Sequence, residues 1–361
     1  MQETMSLSDD LAFQSNLLPR VSRTFALTIP QLPAGLVDVV ANAYLLCRLT
    51  DTIEDDADMD SQEKSAFITG FLAVIQAQAN ADVFAARLLA ALSERTLPAE
   101  RDLVAHTATI TRITSSFSAS QHKAVLRCVT TMGKGMPEFQ RRNSLEGLPA
   151  LVDLDRYCYF VAGIVGEMLT DLFCEHCTEL AQHRDDMMSL AVCFGQGLQM
   201  TNILKDVWED RESNTCWLPR CVFSEIDGGL EQAMRRRDSD AITGGIQALV
   251  GIAHAHLQSA LKYTQMIPKS EPGIRRFCLW AIGMGLLTLQ RIHRSPGYAN
   301  GHEVKISRRA VKGTIFVCNL AQRSNYALKL LFRLTSRGLP LATQKDFCPP
   351  PGARLASDRL T

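Results

Sequence analysis

Two short acidic segments carry residue types and spacings that could do chemistry. Asp51-Thr52-Ile53-Glu54-Asp55-Asp56 and Asp206-Val207-Trp208-Glu209-Asp210 each hold two aspartates four residues apart. On a helix that spacing points both carboxylates from one face, where they repel by about 0.2–0.5 kcal/mol in water and by more when shielded. Bound Mg²⁺ would compensate, because this hard cation takes one or two carboxylates together with phosphate oxygens and waters. Further up each segment, at steps of three and four residues, stand Arg48 and Tyr44 in the first and Asn202 and Gln199 in the second. The residues around them are apolar: Leu45, Leu46 and Leu49 in one, Leu198, Ile203 and Leu204 in the other. One acidic pair alone is most often a solvated helix face. Two matching copies, with a cation and amides on the same stripes of otherwise apolar helices, read as the lining of a cavity.

The elements that must carry these stripes are helices. Prolines are absent from residues 34–97, 150–218, 220–267 and 297–339, and each window repeats apolar residues at i, i+3, i+4 and i+7. Period-two alternation is hardly present; Asp227-Gly228 is a hairpin-type dipeptide, but helical sequence follows it. The expected fold class is all-α. Linkers such as Ile29-Pro30-Gln31-Leu32-Pro33 and Arg142-Asn143-Ser144 separate helices without dividing the chain. Residues 15–337 therefore read as one domain after a short segment, 1–14. Residues 338–361, with Pro340, Pro349-Pro350-Pro351 and no apolar period, read as a flexible tail.

Composition narrows the partners. The 361 residues include 38 basic and 38 acidic side chains, for a formal net charge of zero, without the basic excess of a nucleic-acid binder. Eleven cysteines scatter through apolar stretches and read as unpaired thiols in a reducing cytoplasm. Met1–Asp10 is too polar and acidic for a secretory leader. The longest apolar run, Phe277–Leu289, has 13 residues. A membrane-spanning helix needs about 18–20, so no such segment is expected, and the run reads equally as pocket wall or as core.

Other features read as structural. Cys174-Glu175-His176-Cys177 lacks the second pair of a zinc site. Arg235-Arg236-Arg237 is followed by Asp238 and Asp240, as on a solvated face, and His254 and His256 are two apart, so they cannot share a helix face. Gly163 and Gly166 would each cost a helix about 1 kcal/mol against alanine. Either close helix packing or space for a bound chain would explain them.

From about Ser22 to Lys312, the chain resembles the squalene and phytoene synthases, all-α isoprenoid synthases whose helices surround a central apolar cavity. The motifs that carry the resemblance are Ser22-Arg23-Thr24-Phe25, the segment from Tyr44 to Asp56, the segment from Tyr157 to Gly166, and the segment from Gln199 to Asp210. The form of the first acidic motif, Met132-Gly133-Lys134-Gly135-Met136 before Phe139, and the basic Val304-Lys305-Ile306-Ser307-Arg308 are nearer the squalene branch than the phytoene branch.

The resemblance implies that two farnesyl diphosphates condense head-to-head to presqualene diphosphate, which an NADPH-dependent rearrangement converts to squalene. It implies Mg²⁺ at Asp51, Asp55, Asp206 and Asp210, with Glu54 and Glu209 joining through water. It also implies diphosphate contacts from Ser22, Arg23, Arg48, Gln199, Asn202 and Lys205. Tyr157 matches the tyrosine that the family implicates in proton transfer, and Tyr44 is a second candidate; a phenol can donate or accept a proton and face a cation. Lys305 and Arg308 lie in the segment associated with the nicotinamide cofactor. A cytoplasmic monomer is the corresponding expectation. Its membrane contact would be peripheral, since no segment like the C-terminal anchor of the eukaryotic members is seen.

Two departures stand out. Lys205 occupies a position where animal and fungal squalene synthases tend to have arginine, which keeps the charge and loses the bidentate fork. The loop Arg211–Pro219 lacks the family's frequent glycine-arginine pair, with Arg211 as the candidate substitute. Three other readings compete. A phytoene or dehydrosqualene synthase would use the same carboxylates without the reductive step. A non-catalytic assembly factor on this fold should have lost acidic residues that are retained here, and a helical scaffold would leave the acidic stripes unexplained.

Overall fold

The computed structural model describes residues 6–22, 24–140 and 144–342. Arg23, the Arg142-Asn143 part of one linker, and the tail beyond residue 342 lie outside these described residues. Among them there is no strand, only an isolated bridge between Leu148 and Pro219, so the protein is all-α as its periodicity requires. Of the described residues, those up to 140 together with Asp171–Thr178 form one compact unit. Residues 144–170 and those from Glu179 onward form a second.

In the first unit, α1 (Leu7–Val21) opens on a capping box in which the Ser6 hydroxyl accepts from the Asp9 N–H and the Asp9 carboxylate accepts from the Ser6 N–H. It packs on α2 (Ala34–Glu54), most of which is core, from Leu36 to Ile53. From Val39 onward the exceptions on α2 fall on one stripe: Tyr44, Arg48 and Asp51 are half-buried, and Asp55, at the helix end, is exposed. Asp56 makes the turn that ends α2. Its carboxylate accepts from the N–H groups of Asp58 (3.0 Å), Met59 (3.0 Å) and Ser93 (2.8 Å) and from the Thr96 hydroxyl (3.3 Å). A shorter helix, α3 (Pro98–Ala105), starts on proline at a position where the missing N–H costs nothing.

The second unit contains α4 (Leu151–Cys158), a π-helical turn at Tyr159–Gly163, and α5 (Ile164–His176), of which the residues up to Thr170 belong to this unit. Then come α6 (Arg184–Glu212), α7 (Thr243–Met266), α8 (Pro272–Arg294), α9 (Arg308–Ala321) and α10 (Asn325–Thr335). With 29 residues, α6 is the longest helix described; it packs along α7 and α8.

Close packing accounts for Gly166, where a Cβ would lie 2.3 Å from the Ala191 carbonyl oxygen, whereas one on Gly163 would meet only side chains, Tyr159 at 3.0 Å and Val192 at 3.3 Å. Gly195, on α6, is packed as closely as Gly166, since its Cβ would lie 2.2 Å from the Ala162 carbonyl oxygen. Both carbonyl obstacles are backbone, so neither can move aside as a side chain would. We expect Gly195→Ala to destabilise the fold by about 1–3 kcal/mol or more, read as a lowered denaturant midpoint. Unchanged stability with an altered product chain length would instead restore the reading of these glycines as room for a bound chain.

The helical stretch Leu151–His176 differs from the sequence expectation. Its 26 residues contain an 18-residue window of mean hydropathy 1.3, long and apolar enough to cross a membrane. A search for unbroken apolar runs misses it, because Glu167, Thr170 and Asp171 interrupt the run. Within the fold, 56% of that window is buried, and Ile164, Met168, Leu172 and Phe173 are core side chains. Core packing accounts for its apolarity.

Candidate active site

The α2 stripe forms one group of candidate side chains. The Arg48 guanidinium is ion-paired with Glu100 on α3 and lies 3.8 Å from the Asp51 carboxylate. Asp51 is recessed yet open to water on one side, with a side chain 30% exposed. Burial, and next the charge of Asp55, push its carboxyl up to about 7 against the pull of Arg48. Asp55, exposed at the helix end, lies in the field of Arg48 and Lys64, which favour its charged form. The Tyr44 hydroxyl donates to the Val21 carbonyl at 3.2 Å, and its ring lies 5.1 Å from that of Phe25. Burial raises the Tyr44 phenol, and a bond to the Ser22 hydroxyl opposes that shift. Ser22 itself is buried and accepts from the Phe25 N–H at 3.0 Å. Thus Ser22, Tyr44, Arg48, Asp51 and Asp55 share one neighbourhood. Glu54, one residue off the stripe, is buried, and Lys64 donates to its backbone carbonyl at 2.7 Å.

The stripe on α6 is built similarly. Gln199, Asp206 and Asp210 are half-buried and Asn202 is exposed, while Met200, Ile203, Leu204, Val207 and Trp208 are buried between them. Among the described residues, Gln199 and Asn202 make no side-chain hydrogen bond, which leaves their amides available to a ligand. Lys205 lies 2.9 Å from the Asp206 carboxylate. Burial raises the Asp206 carboxyl, and the charges of Lys205 and Lys305 draw it down, so Lys305 acts on this stripe. Arg308, at the start of α9, is exposed. Glu209 spends one carboxylate oxygen on the Gly301 N–H, at 2.9 Å, which ties the following loop to α6.

Asp210 lines a crevice with Ile203, Val207, Cys216, Trp217 and Leu218. The Trp217 ring stacks on buried Tyr157, with centroids 3.9 Å apart and planes within 10°. Trp217 therefore links Tyr157 to the end of the acidic stripe. Arg211 does not serve as the substitute phosphate contact expected for it. Its guanidinium donates to the carbonyls of Met234 (2.5 Å) and Arg235 (2.9 Å), which end the helix Gly229–Arg236.

Residues that sequence reasoning misses are Glu100, Trp217 and Tyr298. Glu100 looks like an ordinary acidic residue in a helical first turn. Trp217 sits in a loop whose only sequence signal is the absent glycine-arginine pair. Tyr298 sits in a proline- and glycine-rich turn; its hydroxyl donates to the Leu204 carbonyl, and its own carbonyl accepts from the Trp208 indole at 2.6 Å. Burial, then the charges of Asp206, Glu209 and Asp210, hold its phenol far above the ordinary tyrosine range. It therefore stays neutral and acts as a strut behind α6.

Two residues before Tyr157, the Asp155 carboxylate lies 4.0 Å from the His256 Nε2. Burial pushes Asp155 up to about 7 and His256 down to about 4, so between these values both are neutral. Unfolded, Asp155 would ionise near ~3.9. The folded chain thus binds the extra proton at Asp155, whose contribution to stability falls as pH rises from about 4 through 7, by up to about 4 kcal/mol, while the lowered His256 contributes a rise between about 4 and 6.5. We expect Asp155→Asn to flatten the loss of thermal midpoint between pH 5 and pH 8; an unchanged slope would show that Asp155 is ionised in the fold. His254 makes a separate contact, a 2.8 Å hydrogen bond with the Pro340 carbonyl.

The donor set fits Mg²⁺. Among the described residues no three metal-ligating side chains gather into a cage. What each stripe offers instead is a carboxylate pair with one half-buried member, Asp51 or Asp206, whose charged form burial disfavours, and that suits an ion which completes its shell with phosphate and water. The exposed cations Lys305 and Arg308 fit a phosphate group of a nucleotide cofactor.

Residues 18–310 match the squalene/phytoene synthase family. The squalene synthase ERG9 of Gibberella zeae is 26% identical over 300 residues, covering 82% of this chain and 62% of the relative. The squalene synthase of Solanum lycopersicum is 30% identical over 278 residues, covering 76% of this chain and 62% of the relative. The chain thus spans a little under two thirds of the length of either. Among solved structures, TcSQS bound to the ligand BPH1237 superposes with a TM-score of 0.74 at 24% identity, covering 94% of this chain and 95% of that one. A dehydrosqualene synthase in complex with ligand gives a TM-score of 0.64 at 18% identity, covering 88% and 98%. These likenesses establish the isoprenoid synthase fold, and with the match over residues 18–310 they show that the chain belongs to the squalene/phytoene synthase family.

Proposed function

We propose that the chain is a Mg²⁺-dependent prenyltransferase of the squalene synthase type. It would condense two farnesyl diphosphates to presqualene diphosphate and, with NADPH, convert that product to squalene. The observation that carries the reading is a carboxylate pair on each of two helices, with Asp51 held at about 7 beside Asp55 and Arg48. Such a pair is poorly placed without a cation and well placed with one. The squalene synthases at 26–30% identity support the same reading.

Bound at Asp51, Asp55, Asp206 and Asp210, Mg²⁺ would neutralise the pyrophosphate that leaves as the allylic C–O bond breaks. Arg48, steadied by Glu100, would present its remaining N–H groups to phosphate oxygens, as would the Lys205 ammonium, the Gln199 and Asn202 amides and the Ser22 hydroxyl; Arg23 is a further candidate from the sequence. Glu54 and Glu209 would support the metal through water. Tyr157 would manage the proton lost as the cyclopropane closes, with Tyr44, on the α2 stripe, as the second candidate. Lys305 and Arg308 would hold the NADPH phosphate.

The test is to incubate the full chain with farnesyl diphosphate and Mg²⁺, with and without NADPH, and to identify the lipid products. Squalene formed only with NADPH supports both steps. Presqualene diphosphate or dehydrosqualene formed regardless of NADPH removes the reductive step. No turnover of farnesyl or geranylgeranyl diphosphate removes the enzyme reading and favours an assembly factor.

A further inference from the structure

The last two helices leave an unusual surface. Among the described residues, seven of the eleven exposed large apolar side chains fall between Phe316 and Leu341, while the other four are scattered singly. On α10, Tyr326 (79% exposed), Leu330 (44%) and Leu334 (62%) recur every four residues and form one outward stripe. Lys329, Arg333 and Arg337, at the same spacing, run beside it and are exposed. Leu328 and Phe332 are buried on the opposite face. On α9, Phe316 (65%) and Leu320 (72%) face solvent with Arg309 and Lys312, while Cys318 packs inward. The two helices pack against each other within the second unit.

Charge sets this region apart. Residues 304–342 contain eight lysines and arginines and no acidic residue, in a chain whose 38 basic and 38 acidic side chains cancel. The other 322 residues therefore carry 30 basic against 38 acidic, a net of −8.

We propose that the outward face of α9 and α10 docks on an anionic lipid surface. Apolar side chains interleaved with long basic ones suit such a surface. The apolar groups enter the boundary between headgroups and acyl chains, and the lysine and arginine stems lie along them with their charges at the lipid phosphates. A protein-binding patch would have a core poor in lysine, with charge at its rim. A second copy of this chain would bring two faces of the same positive sign together. A nucleic acid would gain nothing from five exposed aromatic and aliphatic side chains along the middle of the face.

The experiment is co-sedimentation of the full chain with phosphatidylcholine vesicles, with and without phosphatidylserine. It is run on the wild type, on Leu320→Ser with Leu334→Ser, and on Lys329→Gln with Arg333→Gln. These positions are exposed and lie outside the acidic stripes, so an unchanged thermal midpoint identifies variants that have folded. We expect wild-type binding to require phosphatidylserine and to weaken with salt, and each double variant to lose at least about tenfold in affinity. No requirement for substrate or Mg²⁺ is expected, so failure of the proposed activity would leave this result standing. Absence of vesicle binding, or binding that neither variant changes, would overturn the proposal. So would a concentration-dependent dimer abolished by the apolar variant, since a second copy would then cover the face.

Discussion

Replacing Asp51 or Asp206 by asparagine should lower kcat/KM for pyrophosphate release from farnesyl diphosphate by about 10³-fold. The charge developing on the leaving pyrophosphate is the largest electrostatic change in the proposed reaction, and asparagine keeps the shape of the side chain while removing a charge that would hold the cation. Loss of fold is separable from loss of chemistry at Asp51. Its carboxyl is pushed up to about 7 in the folded chain, against about 3.9 unfolded, so without Mg²⁺ its contribution to stability declines as pH rises through that interval. At pH 8, Asp51→Asn should therefore raise the thermal midpoint of the metal-free protein while abolishing turnover. A variant that turns over normally, or that loses activity only because it unfolds, would remove Asp51 from the metal site.

The second large effect belongs to Tyr157. Tyr157→Phe keeps the ring that stacks on Trp217, 3.9 Å between centroids, and deletes only the hydroxyl. If that hydroxyl manages the proton lost in the condensation, kcat should fall by about 10²-fold or more while binding of the diphosphate is preserved. Trp217→Leu should produce a smaller loss, because it removes the stack that fixes the Tyr157 ring. Wild-type turnover by the phenylalanine variant would make Tyr157 a packing residue.

Helical periodicity alone makes much of this arrangement legible in the amino-acid sequence. The stripe of Tyr44, Arg48, Asp51 and Asp55 follows from it, because polar residues recurring at three and four within an apolar helix have to share its one accessible side. The same holds for Gln199, Asn202, Asp206 and Asp210. What periodicity cannot supply is partners distant in sequence. Asp56 adjoins the acidic pair, yet it is committed to Ser93 and Thr96, 37 and 40 residues on. Glu100 reaches Arg48 across 52 residues, and Tyr298 reaches Leu204 across 94. Gly166 is ambiguous in sequence for the same reason, since only the approach of the Ala191 backbone separates packing from ligand space. Hydropathy also misleads at Leu151–His176, where Glu167, Thr170 and Asp171 interrupt and hide a long apolar helix.

The central proposal is that Mg²⁺ and diphosphate bind at the acidic pairs, Asp51 with Asp55 on α2 and Asp206 with Asp210 on α6. Calorimetric titration of the full chain with a non-reacting farnesyl thiodiphosphate, with and without Mg²⁺, tests it most directly. Binding should be strongly Mg²⁺-dependent, the ligand should tighten Mg²⁺ binding by the same factor, and Asp51→Asn and Asp206→Asn should each abolish that coupling. Equally tight binding with and without Mg²⁺, unaffected by either substitution, would contradict it.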